Sequence, residues 1–116
     1  KAFKQAYGKP HMARARRYFE AAFEQMDPDQ TAKARAALNR FDILDRLKAV
    51  EAPTLVLVGD EFGHFALTMA RKTADALPNA NLKILEGGAD PSNLTVPDTF
   101  DRAVLIFLKD GRSQSS

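Results

Sequence analysis

The hydrophobic pattern changes period along the chain, and the change separates its parts. From Met12 to Met26 the residues Met12, Ala15, Phe19, Ala22, Phe23 and Met26 recur at helical spacing, with arginines mostly opposite. This predicts an amphipathic helix with one face to cover. Asp27-Pro28-Asp29-Gln30 predicts the start of a second helix. Asp27 can cap the free amides, Pro28 suits the first helical position, and Gln30 stands where a capping box places it. That helix runs to about Arg40 and offers Ala34, Ala37, Leu38 and Phe41 for burial. A short third helix, capped by Asp42, sets Ile43, Leu44 and Leu47 on one side. Residues 1–11 hold Gly8 and Pro10 and read as a loosely held lead-in.

The pattern then loses its helical period. Pro53 to Asp60 reads PTLVLVGD, with the strand formers Thr54 to Val58 between a proline and a glycine. An uninterrupted apolar run of this kind predicts a strand covered on both faces, as in parallel sheets. A helix follows over Ala66–Leu77, its stripe Leu67, Ala70, Ala74 and Leu77, stopped by Pro78-Asn79. A second, shorter strand spans Leu82–Leu85, so the region predicts a βαβ unit with parallel strands and an α/β fold class. The loop from Glu86 to Pro97 contains Gly87-Gly88, and a last helix spans Asp98–Leu108 with Phe100, Val104, Phe107 and Leu108 on its apolar side. Residues 109–116 are expected to be a disordered tail. Two strands give the first at most one neighbour, although its pattern asks for two. Either the chain self-associates through the sheet edge, or it is part of a longer protein that supplies more sheet.

Composition narrows the function classes. The 116 residues suffice for one domain, and a net charge of +2 implies no polyanionic partner. Lys1, Lys4, Lys9, Arg14, Arg16 and Arg17 all precede the first acid, Glu20. No Gly/Arg repeat or stacking pattern accompanies them, so they read as a solvated face, and nucleic acid is not an expected partner. The chain lacks cysteine, which fits a reducing compartment, and no apolar run approaches the roughly 20 residues of a membrane span. The expectation is a soluble, cytoplasmic chain without a membrane partner. No cofactor or metal is expected. His11 and His64 stand far apart without a ligand motif, and Gly87-Gly88 lacks the context of a phosphate loop.

The order of elements carries a resemblance. Ala52 to Glu61 (APTLVLVGDE) resembles the penultimate-strand motif of α/β-hydrolase-fold enzymes of the esterase and lactonase type. Met69-Ala70-Arg71, Ala74 to Ala80 and Leu82 to Gly87 resemble the helix and last strand that follow it, and Pro97, Phe100 and Val104 to Leu108 resemble the closing helix. The likeness is gap-free from about Leu47 to Leu108, and residues 12–46 look like the end of a helical cap. It implies a helical, cap-like segment over 1–47 and the C-terminal βαβα part of a hydrolase-like parallel sheet over 48–108. Ester hydrolysis through an acyl-enzyme is the chemistry that the family implies.

The sequence departs from the family where that chemistry resides. The family's triad runs Ser, acid, His, with serine in a G-x-S-x-G elbow. No such elbow occurs, and Gly111-Arg112-Ser113-Gln114-Ser115 lacks both its second glycine and a preceding strand. The family acid slot, three residues after the glycine of the strand motif, holds Phe62, and the histidine slot holds Asp90. A phenyl ring cannot orient an imidazole, and a carboxylate is a poor proton shuttle for serine near neutral pH.

Three readings remain open. Catalysis is lost, with Phe62 and Phe65 filling space and His64 an ordinary loop residue. Alternatively Asp60 or Glu61 supplies a relocated carboxylate. In the third, His64 and Asp90 form a swapped imidazole–carboxylate pair. The expected function is the C-terminal portion of an ester or lactone hydrolase-like protein, inactive by itself, whose partner is the missing N-terminal portion. The alternative is a non-catalytic module whose Phe62, His64, Phe65 and Asp90 bind a small apolar ligand or a protein partner.

Overall fold

The computed structural model describes residues 2–114, with side chains over 4–110. Its centre is the expected βαβ unit. Strand β1 (Thr54–Gly59) pairs in parallel with β2 (Ala80–Leu85), in register from Thr54 opposite Ala80 to Gly59 opposite Leu85. Helix α4 (His64–Ala76) connects them and packs on both. It starts two residues before the predicted Ala66, because Gly63 already supplies the turn into it.

Helices α1 (Ala2–Ala6), α2 (Ala13–Glu24) and α3 (Pro28–Asn39) precede the sheet, with 3-10 turns at Pro10–Met12 and Leu44–Ala49. A short helix, α5 (Ser92–Thr95), forms inside the loop that the pattern left irregular, and α6 spans Pro97–Gln114. Helix α6 thus takes in Lys109 to Gln114, where the sequence pattern places a tail, since no proline follows Pro97 to interrupt it. Ser115 and Ser116 lie outside the described residues.

Residues 4–11 of the lead-in are mostly exposed, but the residue after them enters the core: Met12 is 1% exposed and, with Ala15, Val58, Leu85, Ala89 and Thr95, belongs to the buried core. That core sits where the N-terminal segment meets the ends of the strands. The predicted face of α3 is not buried: Leu38 is 67% and nearby Phe41 68% exposed. Ile84, Leu105, Ile106 and Leu108 are also exposed.

The accessible surface is 9104 Å², against about 6,300 Å² for a compact monomer of this mass. The radius of gyration of 16.4 Å likewise exceeds the roughly 13 Å of a compact chain this long.

Among the described residues, β1 pairs with β2 alone. Thr54 N–H donates to the Asn79 carbonyl at 2.8 Å, so the backbone groups of Thr54, Val56 and Val58 face β2. By alternation, those of Leu55 and Leu57 face the open edge.

The cap of α3 is formed as expected. Asp27 Oδ1 accepts from the amides of Asp29 and Gln30 at 2.9 and 3.1 Å. Because α3 buries no residue, it leans on this cap more than a packed helix does. Asp27→Ala is expected to cost about 1 kcal/mol locally. Amide exchange over residues 28–39 should then rise roughly fivefold with β1 unchanged; unaltered exchange in α3 would refute the role.

Candidate functional site

The candidate site lies at the carboxyl end of β1, where an open α/β sheet places ligands. β1 runs through Gly59 into a 3-10 turn, Asp60–Phe62. Gly59 lets this turn meet the loop after β2: a Cβ on Gly59 would lie 2.1 Å from the Gly88 carbonyl oxygen. Two hydrogen bonds fasten the approach. Asp60 Oδ1 accepts from Gly87 N–H at 2.8 Å, and Glu61 N–H donates to the Gly88 carbonyl at 2.8 Å. Gly87 takes φ +75°, a left-handed conformation that favours glycine.

The far side of the loop is fixed from α5. Thr95, 2% exposed, accepts from Ala89 N–H at 3.0 Å, and its hydroxyl lies 3.3 Å from the carbonyls of Ala89 and Pro91. Ser92 donates to the Ala89 carbonyl at 3.1 Å. The Asp90–Pro91 peptide is cis.

The N-terminal segment closes the third side. Tyr7 donates its hydroxyl to the Asp90 carbonyl, and His11 Nε2 lies 2.8 Å from the Gly87 carbonyl, an acceptor that requires the ring nitrogen to donate. Lys9 pairs with Glu61. Burial, and secondarily the Asp90 carboxylate, pushes the Tyr7 phenol above its ordinary value, which keeps the hydroxyl protonated as a donor.

Phe62, Phe65 and Asp90 share a groove of about 350 Å³ along β1 and α4, with Val58, Met69 and Ser92 in its wall. Thus Phe62 and Asp90, the residues expected in the family's acid and histidine slots, are brought to one place. Phe62 is 52% and Phe65 78% exposed.

His64 occupies the first turn of α4, is exposed, and does not line the groove. Its carbonyl accepts from the Thr68 hydroxyl at 3.0 Å, and no hydrogen bond joins it to Asp90 among the described residues. Asp60 is engaged in tethering the loop, and Glu61 in the ion pair. Among the described residues, no group of three or more His, Cys, Asp or Glu is placed to hold a metal.

Sequence reasoning missed Tyr7, His11 and Thr95. The first two act across 83 and 76 residues, and only a lone aromatic and a lone histidine in a Gly/Pro-containing segment hinted at them. Thr95 is a polar residue whose burial nothing in its neighbourhood announces.

No family model matches the chain. It is similar to proteins that carry the name carbamate hydrolase RutD. To RutD of Pseudomonas syringae pv. syringae it is 37% identical over 82 residues, covering 71% of this chain and 32% of that protein. To RutD of Variovorax paradoxus it is 32% identical over 99 residues, covering 84% of this chain and 37% of that protein. Among solved structures it resembles MenH from S. aureus, with a TM-score of 0.59 and 29% identity over 62% of this chain and 27% of that one. The chain therefore spans about a third of the length of the curated relatives it matches.

Proposed function

The chain is α/β-hydrolase-like, and we propose that it is the C-terminal portion of an ester or lactone hydrolase-like protein, not catalytic by itself. The observation that carries this reading is the occupancy of the groove. Phe62 and Asp90, read as the occupants of the acid and histidine slots, line one groove, and among the described residues no imidazole lines it. A phenyl ring cannot orient a base, and a carboxylate relays a serine proton poorly near neutral pH. Asp60 is already engaged as the loop's tether, which argues against its service as a relocated acid.

On this reading residues 1–47 are the end of a cap, and 48–108 the last part of the sheet with its helices. The upstream portion of the same protein supplies the strand that pairs with the open edge at Leu55 and Leu57. The surface supports this: the chain exposes about 2,800 Å² more than a compact monomer would, an area in the range of obligate interfaces. Self-association through the same edge is the competing way to cover it. A cytoplasmic location fits the lack of cysteine, and among the described residues no helix is long and apolar enough to cross a membrane.

The test is a fluorophosphonate probe together with a panel of esters, lactones and carbamates. The 116-residue polypeptide should neither label nor turn over any of them. Labelling at a defined serine would refute the reading.

The groove itself favours a second reading. Its lining by Val58, Phe62, Phe65 and Met69 beside a single Asp90 carboxylate suits a small apolar ligand bearing one polar group. In that case the hydrolase scaffold works by binding, as a pseudoenzyme.

A further inference from the structure

Ala89 and Asp90 of the Gly87–Asp90 loop line the groove, yet two of the loop's carbonyls are held by residues that belong neither to the sheet nor to the helices beside it. We propose that residues Tyr7–Met12 are a strap, in which Tyr7 and His11 act as positioning residues that hold this loop, and with it Asp90, against the end of β1.

The strap is built rather than draped. Met12 is fully buried, and the 3-10 turn that carries it packs on α5, the helix that anchors the loop from the other side. The Tyr7 ring stacks on Phe19 of α2, centroids 5.5 Å apart and planes 12° from parallel, which aims the hydroxyl at the Asp90 carbonyl. One turn of chain later, His11 Nε2 reaches the Gly87 carbonyl, while Asp60 holds the N–H of that same glycine. Gly87 is thus gripped at both ends of its own residue, once from the turn after β1 and once from the strap.

The Lys9–Glu61 pair adds a contact between strap and turn, but its members are 53% and 35% exposed and such pairs contribute little. The two carbonyl contacts are the parts that position the loop. His11 does not line the groove, so its service is to the loop behind Asp90 and not to a ligand.

A groove wall fixed in this way depends on a segment nearly 80 residues distant in sequence. Lifting the strap frees two carbonyls of the loop at once and lets Asp90 leave the groove that it lines with Phe62. This holds whether the groove binds or once catalysed, and the test reads backbone order instead of turnover, so its outcome is separate from that of the hydrolase reading.

Amide hydrogen exchange in the full chain tests the strap. Tyr7→Phe removes only the hydroxyl and His11→Ala only the imidazole. Each should speed exchange at Gly87, Gly88 and Ala89 by roughly five- to tenfold, and the double variant by more than either. Val56, Val58 and Lys83 should exchange as before. His11→Gln, which keeps an N–H donor, should restore most of the protection that His11→Ala loses. Unchanged exchange in the loop would overturn the proposal. So would an equal rise at the strand amides, which reports general loosening, or a His11→Gln variant no better protected than His11→Ala.

Discussion

Gly59→Ala is expected to destabilise the protein by about 3 kcal/mol, the largest loss for the smallest change of side chain in the sheet. The cause is contact and not conformation. Gly59 has φ −83° and ψ 142°, which alanine adopts without strain, so no left-handed penalty enters. The added Cβ would instead lie 2.1 Å from the Gly88 oxygen, 2.3 Å from its carbonyl carbon and 2.9 Å from its Cα. All three are backbone atoms and cannot rotate away.

Gly88 has little room to retreat. Its N–H donates to the Leu85 carbonyl at 3.1 Å and its own carbonyl accepts from Glu61 N–H at 2.8 Å. Relief of the clash must break the second bond or push the loop off β1, so overpacking of about 1–3 kcal/mol adds to a lost hydrogen bond of about 1 kcal/mol. Urea unfolding of the full chain should show the midpoint shifted with little change in slope. A loss below about 1 kcal/mol would mean that the two loops part freely and that the close approach does not organise the site.

How much of this could be read from the sequence depends on how local each feature is. β1 was legible because an unbroken apolar run between Pro53 and Gly59 has few other meanings, and its parallel pairing followed from the helix that separates it from β2. The cap at Asp27 was legible for the same reason, since its partners are two and three residues away. The structure places Phe62 and Asp90, the residues expected in the acid and histidine slots, along one groove.

The features that were not legible are closures between distant segments. Residues 1–11 look loose because Gly8 and Pro10 mark a break in local structure, but a break in local structure is compatible with tight docking elsewhere. Asp60 looked like a spare carboxylate, and only the folded loop shows its oxygen accepting from Gly87. Conversely, the apolar residues of α3 predicted a covering surface that the chain does not supply. An apolar stripe states that a surface is wanted and leaves open which polypeptide provides it.

The groove yields the prediction with the largest effect on activity. On the proposed reading, Phe62→Asp combined with Asp90→His, in a polypeptide that also carries the proposed upstream, nucleophile-bearing portion, is expected to raise ester turnover by about 10²–10³-fold over the parent. The magnitude is that of general base catalysis by an oriented imidazole, and the geometry favours it for two reasons.

Phe62 and Asp90 already face the same space, drawn together by the Gly59–Gly88 approach. The loop that would carry the imidazole is held by Asp60, Thr95, Tyr7 and His11, so the new side chain enters a scaffold with little freedom to drift. Each single variant should stay near background, because an imidazole without its carboxylate is poorly oriented and a carboxylate without the imidazole has nothing to orient.

Initial rates on a p-nitrophenyl ester, with the two singles and the double measured side by side, decide the matter. Recovery in the double alone identifies an eroded enzyme whose framework survived the loss of its acid and base. Silence in all three, with the fold intact by circular dichroism, means that the groove has been rebuilt around Phe62 and Phe65 for binding, and that the hydrolase scaffold no longer supports the relay.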